Sequence, residues 1–421
     1  MKQTIGIITL LLFVISVCFA QKSSDSITIA KRDLSDLFSN IPKVETDVVS
    51  AEKVEVMKLY MPILPLVGYM PANGFIIGAA ALPSICLDSI DSTRMSSMMA
   101  NIQITSKKQV NFNVRSNVYL SHDEWILQGD WRFLFYSQST HGLGVYDYPP
   151  ELFSNPNAFV VSGEQPMRFN YLRLYQKGYR QLVGKLYGGV GIAFDLYSQI
   201  KDLALDVDSS LFTSHYLYSS KHAYKTLESR NLGLTFNLLF DNRDNSMTPY
   251  CGSYLDLSYR LNPNFNVKRE SNSKIVIDFR KYFKIYEGRN PHIMGLWLLG
   301  DIRTSGYAPY LTLPSVGWDT YNRSGRGFVQ GRYRGNDLLY VESEYRFPIT
   351  QDGLVGGVAF VNGLSVSSSM SHQALLNKWV FGYGGGLRVR VNKLTRVNLC
   401  VDFGVGPQKE GLFFFGLQEV F

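Results

Sequence analysis

The 421-residue sequence predicts an all-β fold, a transmembrane antiparallel β-barrel. Three observations lead there. From about residue 73 to the end, short segments alternate apolar and polar residues, the two-residue period of a strand with lipid on one side and a polar lumen on the other. The chain carries 26 Tyr, 26 Phe and 36 Gly, as aromatic girdles and a crowded interior require. Past the first twenty residues no apolar run is long enough for a membrane helix.

The elements follow in order. Lys2, the apolar run Ile5 to Phe19 and the ending Val17-Cys18-Phe19-Ala20 read as a secretory signal, residues 1–20, cleaved near Ala20. The bulky Val17 fits poorly with acylation at Cys18. Loss of Lys2 lowers the formal charge from +7 to +6, dispersed along the chain, and no nucleic-acid partner is expected. Cys86, Cys251 and Cys400 lie too far apart to frame a disulfide or zinc pattern. Residues 21–57 form a polar N-terminal periplasmic segment too short for a domain, in which Leu34, Leu37 and Phe38 would share one helical face. A linker, a lumenal plug and a docking helix all fit it.

The barrel is assigned to residues 58–421. In 111–120, Phe112, Val114, Val118 and Leu120 oppose Asn111, Asn113, Arg115 and Asn117; in 232–241, Leu232, Leu234, Phe236, Leu238 and Phe240 oppose Gly233, Thr235, Asn237 and Asp241. Near the end, Val397, Leu399, Val401 and Phe403 alternate with Asn398, Cys400 and Asp402, and Arg388 and Arg390 sit between Leu387, Val389 and Val391. A soluble β-sandwich also alternates, but seldom sets Arg and Asp beside such long apolar stripes. Turns divide the chain into strands near 73–86, 96–107, 109–120, 124–138, 168–178, 185–199, 228–241, 250–261, 273–285, 292–304, 337–349, 354–366, 379–391, 395–404 and 411–421. These are fifteen, and single-chain bacterial barrels have even numbers, so sixteen is expected, the last strand lying in 155–163, 211–219 or 58–67. Connections at 242–249, 286–291, 350–353 and 391–395 are tight, those at 262–272, 305–336 and 367–378 long, which assigns them to the periplasmic and outer rims.

Three motifs stand out. Asp241-Asn242-Arg243-Asp244-Asn245 with Pro249 and Gly252 reads as a chain reversal; Gly325-Arg326-Gly327-Phe328 lies in the Arg-rich loop 305–336; Glu344-Tyr345-Arg346-Phe347-Pro348 follows on the next strand. With the closing segment 411–421, these resemble the barrel of the BamA/TamA superfamily, the bacterial surface antigen family of outer-membrane assembly and translocation proteins. The resemblance covers about residues 70–421 and is most specific from 228 onwards. It implies that the long loop folds into the lumen and that Arg326 meets acidic residues on the inner wall, with Glu344 at the matching position. Glu342 and Arg346 share the face of Glu344 by the period of two. Where the family usually carries an Asp on the next strand this sequence has Asn362, whose side-chain oxygen is expected to accept from Arg326, leaving more of the anchoring to Glu344. Family members that insert proteins generally carry periplasmic receptor domains, which 21–57 cannot hold, so a stand-alone barrel variant is expected.

The closing strand Gly411 to Phe421 ends on an aromatic, with Phe415, Leu417 and Phe421 on one face as an assembly signal or a girdle residue. In the resembling family the last strand forms a weak lateral seam with the first. The six histidines form no metal spacing and no Gly-x-Ser-x-Gly is present, so neither catalytic residues nor cofactors nor a metal are expected. Gly382 to Gly386 lacks a phosphate-loop context and reads as a strand facing a crowded lumen. The resemblance favours insertion or translocation of proteins, with lipids as a further cargo; a passive pore gated by loop 305–336 and a structural barrel subunit of a larger envelope complex stay open. Expected partners are outer-membrane lipids, unfolded barrel clients and a separate periplasmic or membrane protein.

Overall fold

The computed structural model describes residues 31–34, 36, 56–61, 63–70, 74–88, 93–145, 159–263, 271–286, 288, 290–320, 322–393, 396–407 and 411–421. Among them, sixteen strands form the wall. They are β1 (Ile63–Met70), β2 (Gly74–Ala81), β3 (Ser96–Thr105), β4 (Val110–Leu120), β5 (Trp125–Thr140), β6 (Gln165–Val183), β7 (Leu186–Asp202) and β8 (Ser229–Asp241). The other eight are β9 (Gly252–Asn262), β10 (Asn272–Tyr286), β11 (His292–Ser305), β12 (Leu338–Pro348), β13 (Val355–Val366), β14 (Val380–Asn392), β15 (Val397–Val405) and β16 (Gly411–Leu417). Antiparallel ladders join every consecutive pair, making the wall a meander.

The strand missing from the sequence reading is β1, in the stretch read as 58–67. Among the described residues, the other two candidate stretches contribute the short parallel pair Phe159–Val160 and Leu211–Phe212, the latter followed by helix α1 (Ser214–Lys221). The segment read as one strand, 73–86, breaks after Ala81, where Pro83 has no N–H for a ladder; the chain pairs again at Ser84–Ile85 and, by a single bridge to Val56, at Cys86.

The period of two sorts the side chains as lipid and lumen demand. On β8, Leu232, Leu234, Phe236 and Leu238 point outward while Asn231, Thr235, Asn237 and Asp241 are buried inside. On β4, Phe112 is outward and Asn111, Asn113 and Arg115 are inward. The polar residues are thus the interior, an inversion that suits a wall bathed in hydrocarbon. No helix among the described residues is long and apolar enough to cross a membrane.

Both rims are covered. At the rim with the long connections, α1 sets Tyr218 against Tyr310, and Leu143, Leu311, Leu313 and Met370 complete a buried roof. Thr213 fixes the start of α1 by accepting from the Tyr216 N–H at 3.3 Å. Beside the roof, burial and then the neighbouring Arg332 push His141 down to about 4. Burial, then Lys221 and Arg303, do the same to His222. At the rim with the short turns, residues 242–251 fold inward, and the buried Asp241 accepts from Arg243 (2.9 Å) and from Arg94 (2.9 Å). Residues 31–34 and 36 dock on the same rim. The Arg32 N–H donates to the Asp352 carbonyl (3.2 Å), and Lys393 donates to Asp33 through its backbone and to Asp36 through Nζ, each at 3.0 Å. Leu34 is helical, whereas Leu37, Phe38 and residues 1–30 lie outside the described residues, as does the signal segment.

Two outcomes follow. Phe236→Arg, on the lipid face, should cost about 2–4 kcal/mol of barrel stability in urea titrations of bilayer-reconstituted protein, while Asn237→Ala should cost less. His141 and His222 resist protonation in the folded roof, so their contribution is present above the unfolded value of 6.5 and is lost as pH falls towards about 4. Hydrogen exchange in 214–222 and 306–313 should therefore accelerate across that window, and faster than in the wall strands.

Candidate functional site: the lumenal loop and the closing strand

The loop between β11 and β12 enters the barrel and places Arg326 in its interior, 1% exposed. The flanking glycines allow this. Gly325 and Gly327 have φ of 85° and 94°, where other residues are strained, and a Cβ on Gly327 would stand 2.9 Å from the Val405 backbone at the end of β15. Phe328 packs with Tyr333 and Val316 behind the turn.

Arg326 meets three carboxylates. Nη1 donates to Asp402 (2.8 Å), and Nη2 donates to both Glu342 and Glu344. Its guanidinium carbon lies 3.7 Å from the centre of the Phe360 ring, so a face the carboxylates leave free meets an aromatic. Glu344 also accepts from Arg346 (2.5 Å), and Arg388 joins Asp402 (2.5 Å) to Glu419 (2.7 Å). Three guanidiniums, Arg326, Arg346 and Arg388, thus interleave with four buried carboxylates, Glu342, Glu344, Asp402 and Glu419.

Two departures from the sequence reading concern this cluster. Asn362 acts as a donor: its Nδ2 bonds to the Arg326 carbonyl at 2.8 Å, while its Oδ1 has no partner and does not receive the guanidinium. With the amide Asn362 on β13, a further carboxylate comes from Asp402 on β15. Glycine-lined β14 lets it reach, because a Cβ on Gly386 would stand 1.9 Å from Asp402 Oδ1 and one on Gly382 would stand 3.0 Å from the Arg326 carbonyl. The lumenal parity of Asp402 with Asn398 and Cys400 was the sequence signal for it.

The closing segment differs more. β16 stops at Leu417, and Gln418 at φ 77° turns the chain into the lumen. Phe415 faces outward, Leu417 is buried against Ala80, Leu82 and Val397, and Phe421 is 3% exposed inside the barrel, so the three do not share a face. Phe421 stacks on Trp297 (5.4 Å) and Tyr282 (6.1 Å), and its carbonyl accepts from Arg346 at 2.8 Å. Arg323, from the lumenal loop, donates to the carbonyls of Leu417 (2.6 Å) and Glu419. Glu419, which breaks the apolar face when 411–421 is read as a strand, is a buried member of the ion network.

The turn motif belongs to the same assembly. Asp244 accepts from Arg396 (2.6 Å) and from the Tyr250 N–H (2.8 Å), and the Pro249 carbonyl accepts from Arg346. Gly252 has φ 106°, and a Cβ there would stand 2.5 Å from the Asn242 carbonyl. The turn is therefore a floor braced against the wall as well as a reversal. Among the described residues, no group of three His, Cys, Asp or Glu side chains is placed to hold a metal ion.

The first and last strands lie side by side. The Phe415 ring is 3.5 Å from where a Cβ on Gly68 would stand, yet no ladder register joins β16 to β1 among the described residues. β15, β16, β1 and β2 are 9, 7, 8 and 8 residues long, against 10–19 elsewhere in the wall. Pro65, which lacks a donor, is in β1, where an edge tolerates it.

No protein-family model and no curated protein matches the sequence. Solved structures do resemble the fold. BamA from Haemophilus ducreyi, in a form lacking POTRA domains 1–3, aligns at a TM-score of 0.54 and 13% identity over 86% of this chain and 70% of that one. CdiB from Acinetobacter baumannii gives 0.51 and 14% over 86% and 65%, and CdiB from Escherichia coli 0.50 and 10% over 85% and 59%. The chain thus spans less than two thirds of either CdiB. It is a transmembrane β-barrel whose fold is that of BamA and CdiB.

Arg326→Ala should leave Glu342, Glu344 and Asp402 without their shared cation and cost about 3–5 kcal/mol. The heat-modifiability transition on gels should fall accordingly. Glu344→Gln should cost less, since Arg326 keeps two carboxylates. Exchanging Arg326 and Glu344 should not rescue, because the new acid would face Glu342 and Asp402.

Proposed function

We propose that this chain is an outer-membrane barrel that assists insertion or translocation of proteins, with lipids as a further cargo. The observation that carries the reading is the seam. β1 and β16 lie side by side where the wall strands are shortest, with no ladder register between them among the described residues, and a weakly paired strand edge is a template for an incoming strand. The fold likeness to BamA and CdiB supports the same class. In this reading the long-loop rim faces outward, the signal segment 1–20 directs export, and residues 21–57 precede the barrel on the periplasmic side. Arg326, held by Glu342, Glu344 and Asp402, keeps the loop seated, while Arg323 ties it to the end of β16. Clients are unfolded barrel proteins, delivered by a separate periplasmic or membrane partner, and the protein performs no catalysis.

A channel gated by loop 305–336 is the competing reading, favoured by the polar inner wall of β6 to β11, where Lys177 pairs with Asp256 and Lys274 with Asp301. The two separate cleanly. With the native cysteines replaced, Gly68→Cys and Phe415→Cys joined by a short bis-thiol linker should abolish acceleration of barrel-client folding in vesicles while leaving the protein folded. Full activity of the linked protein would sink the insertion reading. Deletion of 305–336 that yields large stable bilayer currents with no loss of client folding would favour the channel.

A further inference from the structure

The lumen is not filled evenly by the loop. Between the loop and the seam lies a chamber of about 230 Å³, bounded by β1 to β5 on one side and β16 on the other. Its two sides differ in chemistry. The seam side presents Leu66, Leu412 and Phe414, and the opposite side presents Asn101, Asn111 and Asn113 from β3 and β4. Asn111 and Asn113 are 5% and 7% exposed, and the side-chain carbonyl oxygen of each has no partner. The Asn113 amide nitrogen is already used, donating to Asn101 Oδ1 at 3.1 Å. Two buried acceptors without donors are costly to keep, and they sit across an apolar strip next to the one junction of the wall where no ladder is formed among the described residues.

We infer that this chamber binds a membrane amphiphile with a hydroxyl-rich head group, which enters across the seam head first. The hydroxyls donate to Asn111 Oδ1 and Asn113 Oδ1, and the acyl chain lies along Leu412, Phe414 and Leu66. The polarity runs in the right order for this occupant. Apolar residues border the seam, and the acceptors stand on the strands across the chamber from it. The inference goes beyond the reading above and holds whether or not the barrel handles protein clients.

Trp318 lines the chamber, whereas Trp125 and Trp131 face outward at 42% and 43% exposure, so fluorescence distinguishes lumen from lipid. The intact chain, reconstituted in bilayers of unbrominated phosphatidylcholine, is titrated with an alkyl maltoside brominated in its tail. The signal of Trp318 is the difference between the wild type and Trp318→Phe. Saturable quenching of Trp318, reversed by unbrominated maltoside, is expected. The double change Asn111→Leu and Asn113→Leu should raise the half-saturating concentration roughly tenfold, the loss of two modest hydrogen bonds. If that variant does not fold, a bromoalkane without a head group is compared on the wild type and should quench Trp318 at least tenfold less well. The inference is overturned if Trp318 stays bright where Trp125 and Trp131 are quenched, or if the bromoalkane serves as well as the maltoside.

Discussion

A guanidinium taken out of water into the barrel interior is the constraint on which the rest of the structure depends. Stripped of hydration, Arg326 is tolerable only where anions are already fixed, and Glu342, Glu344 and Asp402 supply them from two wall strands. Those carboxylates would repel one another without a cation between them. Arg346 and Arg388 take up the remaining oxygens of Glu344 and Asp402 and pass the charge on to Glu419 in the tail, while the Tyr340 hydroxyl donates to that of Glu342. Loop, wall and tail are thus parts of one electrostatic object. Its members are buried together, so water cannot replace them one at a time.

Much of this was legible in the residues, and the exceptions have identifiable causes. The period of two placed the lipid and lumen faces of β4, β8 and β15 because hydrocarbon enforces it at every step. β1 stood only as one of three candidate stretches, since Pro65, Gly68 and a nearly continuous apolar run leave no clean alternation. The contact of Arg326 with Glu344 could be anticipated from the loop and strand motifs; for the third carboxylate, parity placed Asp402 in the lumen but not against Arg326, because its reach depends on the empty glycine face of an intervening strand. The tail was misread for a different reason. Phe413, Phe415 and Leu417 are in phase with Phe421, and only the left-handed backbone of Gln418, invisible to hydrophobic patterning, takes the last residues out of phase.

The wall is also uneven in a way that composition hides. β6 and β7 run 19 and 17 residues and carry a charged inner surface, whereas the four strands around the seam are short, and β1 and β16 present Leu66, Leu412 and Phe414 opposite the amides of β3 and β4. The loop sits between the two halves, with Trp318 bordering the cavity on either side.

The roof over α1 and Tyr310 and the floor formed by 242–251 share no residue, and they stand at opposite rims. They act as two doors of an airlock. Were each ajar for about 1% of the time and the two independent, both would stand open together for only ~0.01%. Loss of either cover alone would therefore leave the other in place across the lumen.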